Sequence, residues 1–173
     1  MRRLAVLAAL TGLLVACGST RTVVHTVTVI RTTAVPSADQ RIFGHIRAVS
    51  AGPGGYEVRF DPAWLLTGVT ANTAAAEDRG LKCEPTACPG VPDDNLVVDE
   101  SPRVYVYLLP AAARGTVLTS APSGIEATPV TGAQLARLVA GTSRLKLFEP
   151  LESGVWLTVH IDTVRSFAQQ YMP

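Results

Sequence analysis

Long apolar runs are missing from this sequence, and so is an excess of charge of either sign. Of 173 residues only 17% are charged, with 15 basic residues against 14 acidic. That balance lacks the basic footprint of a nucleic-acid binder, so no nucleic-acid partner is expected. The apolar run near the amino end, residues 4–13, is broken by Thr11 and Gly12. It is far shorter than the ~20 residues that cross a hydrocarbon core, so it is not a permanent membrane span. Catalytic signatures are also missing: there is no Gly-x-Ser-x-Gly elbow, no phosphate-cradling glycine loop and no free Cys/His nucleophile pair. No cofactor is implied. Cysteine is scarce, with three residues at positions 17, 83 and 88, and each has an interpretation.

What is present organises itself around Leu14-Val15-Ala16-Cys17. Arg2 and Arg3 open the chain, the apolar run follows, and a small residue precedes Cys17. This is the three-part layout of an export signal. A leucine three residues before a cysteine, with alanine directly before it, reads as a lipobox. Residues 1–16 are then a signal peptide, and Cys17 is the site of diacylglyceryl attachment after cleavage. The competing reading is an ordinary signal peptide cut elsewhere. Each buried CH₂ contributes about 0.8 kcal/mol, and two acyl chains hold a protein on a bilayer where one does not. The expected location is the extracytoplasmic face of the cell membrane, reached through lipid on Cys17. Without Arg2 and Arg3 the mature chain has 13 basic and 14 acidic residues, a net charge of −1.

With Cys17 committed to lipid, Cys83 and Cys88 remain as an even pair in an oxidising compartment, where a disulfide is expected. Zinc is the alternative, but two thiols with no second Cys or His pair nearby make a poor site. Residues 17–40 form the anchored cysteine and a tether rich in Thr and Val, with Arg21, His25 and Arg31 spaced along it. At ~3.3 Å per residue it reaches at most roughly 60–75 Å. Residues 23–30 are β-prone, and the alternative is that they add a strand to the domain.

Residues 41–173 are enough for one domain. Strands are expected over 42–50 and 56–60, joined through the glycines of 51–55. In the second, Tyr56, Val58 and Phe60 share a face opposite Glu57 and Arg59. Asp61-Pro62 reads as the N-cap and first position of a short helix ending at Gly68. An alanine-rich helix over 70–79 ends at Gly80. Residues 103–109 are apolar on both faces, which predicts a central strand. Residues 116–119 continue the sheet. Thr131-Gly132-Ala133-Gln134 fits a capping box, opening a helix that Gly141 closes. A hairpin ends the chain: Val155, Leu157, Val159 and Ile161 line one face, and Asp162-Thr163 forms the turn. The expected class is α+β, a strongly twisted, mostly antiparallel sheet able to curl into a half-barrel, with two or three short helices.

Several stretches together resemble a group of small exported actinobacterial proteins, often lipid-anchored. They are residues 60–68 (FDPAWLLTG), residues 91–95 (VPDDN) leading to the 103–109 strand, residues 156–159 (WLTV), and the closing Gln170-Tyr171-Met172-Pro173. Members of that group commonly have Asp-Gly in the final turn, where this chain has Asp162-Thr163. The resemblance implies fold and location, and it implies no activity.

Three constellations offer chemistry. Ser143-Arg144-Leu145-Lys146 has the Ser-x-x-Lys spacing of penicillin-binding enzymes, but it follows a helix-ending glycine and lacks the partner motifs. Asp93, Asp94, Asn95, Asp99 and Glu100 could supply oxygens to calcium, though not at EF-hand spacing; solvated turn formers are the alternative. His45 and His160 could face one another across a sheet and hold a metal with Asp61 or Glu57. Neither catalytic nor metal-binding residues are assigned. Two functions follow. The first is a non-enzymatic module binding an envelope protein or small ligand, favoured if Trp64, Trp156 and Tyr171 cluster in a shallow patch. The second is a small envelope hydrolase, favoured if His160 and two carboxylates share a deep pocket.

Overall fold

The computed structural model describes residues 38–99 and 103–172. The lipobox, Cys17 and the tether before residue 38 lie outside the described residues, as does Glu100. The chain opens with two long strands, β1 (Gln40–Gly52) and β2 (Gly55–Thr67), followed by helix α1 (Gly68–Asp78) and the short strand β3 (Asn95–Val98). Then come β4 (Tyr105–Leu109), β5 (Arg114–Ala121), β6 (Gly124–Thr131), helix α2 (Gly132–Val139), β7 (Val155–His160) and β8 (Thr163–Gln169). Short 3-10 turns at Pro85–Ala87, Pro92–Asp94 and Leu151–Ser153 fill three of the connections.

These strands form one mixed, mostly antiparallel sheet of the expected α+β class, and it curls beyond a half-barrel. β2, β1, β7 and β8 pair antiparallel in that order, and β4 pairs both β2 and β8, closing a five-stranded barrel. β5 runs parallel to β8 and carries β6 on its other edge. The alternation read from sequence places the core. Val155, Leu157 and Val159 of β7 are buried while Trp156, Thr158 and His160 are half-buried. Val58, Phe60, Leu109, Val164 and Phe167 meet them inside the barrel, and Leu135 of α2 plugs one side. The α2 capping box forms as expected: Thr131 Oγ1 accepts from the Gln134 N–H, and Gln134 Oε1 accepts from the Thr131 N–H. The end of α1 also behaves as read. Gly80 adopts φ 69°, and the N–H groups of Gly80 and Leu81 donate to the carbonyls of Glu77 and Ala76, closing the helix with a Schellman motif.

Three expectations are corrected, and one strand is new. Asp61-Pro62 does not start a helix, because β2 runs unbroken to Thr67. Asp61 to Ala63 pair with β1 and Trp64 to Thr67 pair with β3, so the ladder satisfies more backbone than a single helical turn could. Pro62 lies between the residues that pair β4 and those that pair β3, where its missing N–H costs no bond on that side. The 103–109 strand is not central. β4 pairs with β8 only at Leu108 and Thr163, so it is the seam of the barrel, with Tyr105 and Val106 exposed. The final turn is Ile161-Asp162, not Asp162-Thr163, because His160 pairs directly with Thr163. Finally, residues 124–131 form β6, which no alternation announced.

Candidate binding cleft

β1 and β2 pair from Gly52 and Gly55 at their hairpin up to Phe43 and Ala63, and then they part. Beyond that point Gln40 to Ile42 pair only with β7, while Trp64 to Thr67 pair only with β3. Just before the split the two strands are pressed together: a Cβ on Gly44 would lie 2.1 Å from the Asp61 carbonyl oxygen, so only glycine fits. The parting leaves a cleft of about 430 Å³ whose walls include Arg41 and Phe43 of β1, Pro62 and Trp64 of β2, Tyr105 of β4 and Trp156 of β7.

The rings in this cleft are held from behind. Phe43 is only 4% exposed and packs on Trp156 with ring centroids 5.2 Å apart. Gly154 backs Phe43 so closely that a Cβ there would stand 2.5 Å from its ring. The indole N–H of Trp156 donates to Gln170 Oε1 at 2.9 Å, and the Arg41 guanidinium lies 4.4 Å above the same indole. Tyr105 stacks on Tyr107 at 6.3 Å, and Tyr107 meets Phe60 of the core edge-on. Burial raises the Tyr107 phenol above its ordinary value of 10.0, with Tyr105 and Asp162 adding to the effect. Against this fixed backdrop Trp64 is 66% exposed and Tyr105 is 45% exposed. Among the described residues that line the cleft, Arg41 is the one charged side chain.

A second groove of about 640 Å³ lies between α1 and the β2–β3 pair, with Leu66, Ala75 and Val97 among its lining residues and Glu77, Asp78 and Asp99 as its carboxylates. Trp64 is the one residue that lines both. The second groove is mainly aliphatic with three carboxylates and one cation, Arg79, where the first is aromatic and cationic.

The residues singled out from sequence are distributed as follows. Cys83 and Cys88 form a disulfide with an S–S distance of 2.07 Å and Cα atoms 5.2 Å apart, bracketing the exposed turn Pro85–Ala87. His45 and His160 are not partners. His45 Nδ1 sits 2.7 Å from the carbonyl oxygen of Glu152, and His160 Nδ1 sits 3.1 Å from Asp39 Oδ1. They occupy opposite ends of the β1–β7 ladder, since His160 lies beyond the Gln40–Val159 pair and His45 beyond the Gly44–Val155 pair. Asp61 binds Arg47, not a histidine: Arg47 Nε and Nη2 donate to Asp61 Oδ2 at 2.8 and 2.6 Å. Arg47 is the extra residue of a bulge in β1, the kind of irregularity that re-aims a side chain. Asp93 and Asp94 both take φ 56° in a turn, and Asn95 Nδ2 donates to the Asp93 carbonyl, so these residues shape the loop. Among the described residues no three His, Cys, Asp or Glu side chains gather as a metal site. Ser143 follows α2 in irregular chain and its Oγ accepts from the Leu145 N–H, so the Ser-x-x-Lys pair is not on a helix turn.

Of the three aromatics proposed to cluster, Trp64 and Trp156 do share the cleft, whereas Tyr171 packs on Phe148 elsewhere. Arg41, Phe43 and Tyr105 were not anticipated there. Their signal in the sequence was no more than strand alternation, which says which face a residue takes and not where two strands separate. Compared with known protein families, characterised proteins and solved structures, the chain matches none.

Proposed function

We propose that this chain is a cell-envelope lipoprotein, held on the outer face of the membrane by lipid on Cys17, whose domain is a non-enzymatic binding module. The single observation that carries the binding reading is Trp64, two-thirds exposed in a cleft otherwise built of supported rings. Exposing a tryptophan to water is unfavourable by roughly 25 cal/mol per Å² of apolar surface, and a protein that retains such exposure beside other rings has the composition of a contact surface. The cleft volume lies within the range of ligand sites. Among the described residues its lining contains no carboxylate, histidine, serine or cysteine, and Tyr105 supplies its one phenol. The lipobox supports the location, and the Cys83–Cys88 disulfide suits an oxidising compartment.

A photo-reactive phenylalanine analogue placed at position 64, in cells that lipidate the chain, tests the module. It is expected to give adducts in intact membranes that the same group at exposed Glu126 on β6 does not give. Identical adducts from both positions would refute the reading. Mass spectrometry of the purified product checks the anchor, and an unmodified residue 17 would remove it.

A further inference from the structure

Resting on that reading of the cleft and of Cys17, we infer that the cleft docks against an anionic lipid surface, so that the domain touches the bilayer its anchor occupies. Three observations converge. The first is composition: two tryptophans, a tyrosine and an arginine line one opening, over a floor that includes Phe43 and Ile42. Trp and Tyr rings settle at the level of lipid headgroups, and an arginine there keeps its stem in apolar surroundings while its head meets phosphate. The second is charge. Among the described residues Arg41 is the one charged residue lining the cleft, and no carboxylate there opposes a phosphate. The acidic groups Glu77, Asp78 and Asp99 belong to the neighbouring groove, which shares only Trp64 with the cleft. An anionic surface therefore approaches from the Arg41 side.

The third observation is where the chain enters the fold. Gln40 is the first residue of β1, and Arg41, the next, is already a wall of the cleft. The strand that follows the anchor in sequence is the strand that carries the cleft's cation. A contact tied to the membrane by its own chain is intramolecular, with an effective concentration on the order of millimolar. A basic residue near an anionic surface is attracted to it within a Debye length, and partial burial of Trp64 and Tyr105 adds to the attraction. Such a patch would bind vesicles feebly by itself, yet it suffices to orient a body that is already tethered.

The test uses the lipidated chain reconstituted into phosphatidylcholine vesicles with or without phosphatidylglycerol, some carrying brominated acyl chains. Trp156→Phe leaves Trp64 as the sole tryptophan, and Trp64→Phe leaves Trp156 as a second reporter should the first variant fold poorly. Brominated chains are expected to remove most of the Trp64 emission in phosphatidylglycerol vesicles, with a blue shift. The effect weakens in phosphatidylcholine alone and is lost in Arg41→Glu. Retention on vesicles with Trp64 emission unaffected by bromine overturns the docking while leaving the anchor intact. A chain that vesicles do not retain refutes the anchor, and with it a docking that rests on that anchor. Trp64 shielding that rises with protein density on plain vesicles assigns the cleft to a second copy, and shielding that needs an added peptide assigns it to a protein; either result overturns the proposal.

Discussion

Arg47 gives two hydrogen bonds to a single oxygen of Asp61, and the other carboxylate oxygen, Oδ1, is buried with no partner among the described residues. The pair is unequal: the Arg47 side chain is 48% exposed, while that of Asp61 is 10% exposed. Removing the exposed partner strands a buried charge, whereas removing the buried one leaves a cation that water can reach. Arg47→Met is therefore expected to cost about 3 kcal/mol, toward the figure for breaking a buried pair. Asp61→Asn, which keeps an acceptor for Arg47, is expected to cost about 1 kcal/mol. Chemical denaturation of both variants checks the order, and equal losses would show that burial of Asp61 does not govern the pair.

Phe43 and Trp64 line the same cleft but differ in what they support. Phe43→Ala empties a buried site and is expected to cost about 3–5 kcal/mol. Trp64→Ala removes a ring that is mostly in water, so stability should stay within about 0.5 kcal/mol while bromine quenching of the remaining Trp156 on phosphatidylglycerol vesicles weakens. A large drop in melting temperature for Trp64→Ala would reassign that ring to structure.

The Tyr107 phenol has its ordinary value of 10.0 in the unfolded chain and a higher one in the fold, mainly because burial disfavours its charged form. A raised value means that the folded state holds its proton longer. The stability linked to this group is complete below pH 10 and declines as pH rises through the folded value. Tyr107→Phe removes the titration. Its unfolding free energy is expected to fall less steeply than wild type above pH 10, as followed by denaturant titration across alkaline pH. Parallel curves would exclude Tyr107 from the alkaline transition.

Ile161 takes φ 55° in the final turn and is 51% exposed. A β-branched residue in the left-handed region is strained, by about 1–3 kcal/mol. Ile161→Asn, a residue that tolerates this region, is expected to stabilise the protein by about 1 kcal/mol, since the lost side chain buries little. Thermal unfolding reads the result, and an unchanged or lower midpoint would show that the turn relaxes around isoleucine without cost.

Local signals were read correctly where only local groups take part. The capping box at Thr131, the glycine stop at Gly80 and the inward face of β7 each depend on residues a few positions apart. Asp61-Pro62 misled for the same reason. The pair is a good helix start in isolation, but β1 on one side and β3 just beyond compete for that backbone. Tyr105 and Val106 misled as well, since alternation of apolar residues cannot tell a central strand from the seam of a barrel. The histidines show the limit most plainly. Each was placed on a strand, or at its end, yet the β1–β7 register separates them.

By itself the amino-acid sequence determined the pairing of Cys83 with Cys88, the α+β class and the residues that alternate into the core. All of these follow from short-range chemistry: a count of thiols, and periodicity along a strand. Only the tertiary structure decided that the sheet closes through β4, that Arg47 reaches Asp61, and that β1 and β2 part after Phe43 to open a cleft between Trp64 and Trp156. Those outcomes depend on strand register and on the point where pairing stops, which are set by contacts between residues tens of positions apart.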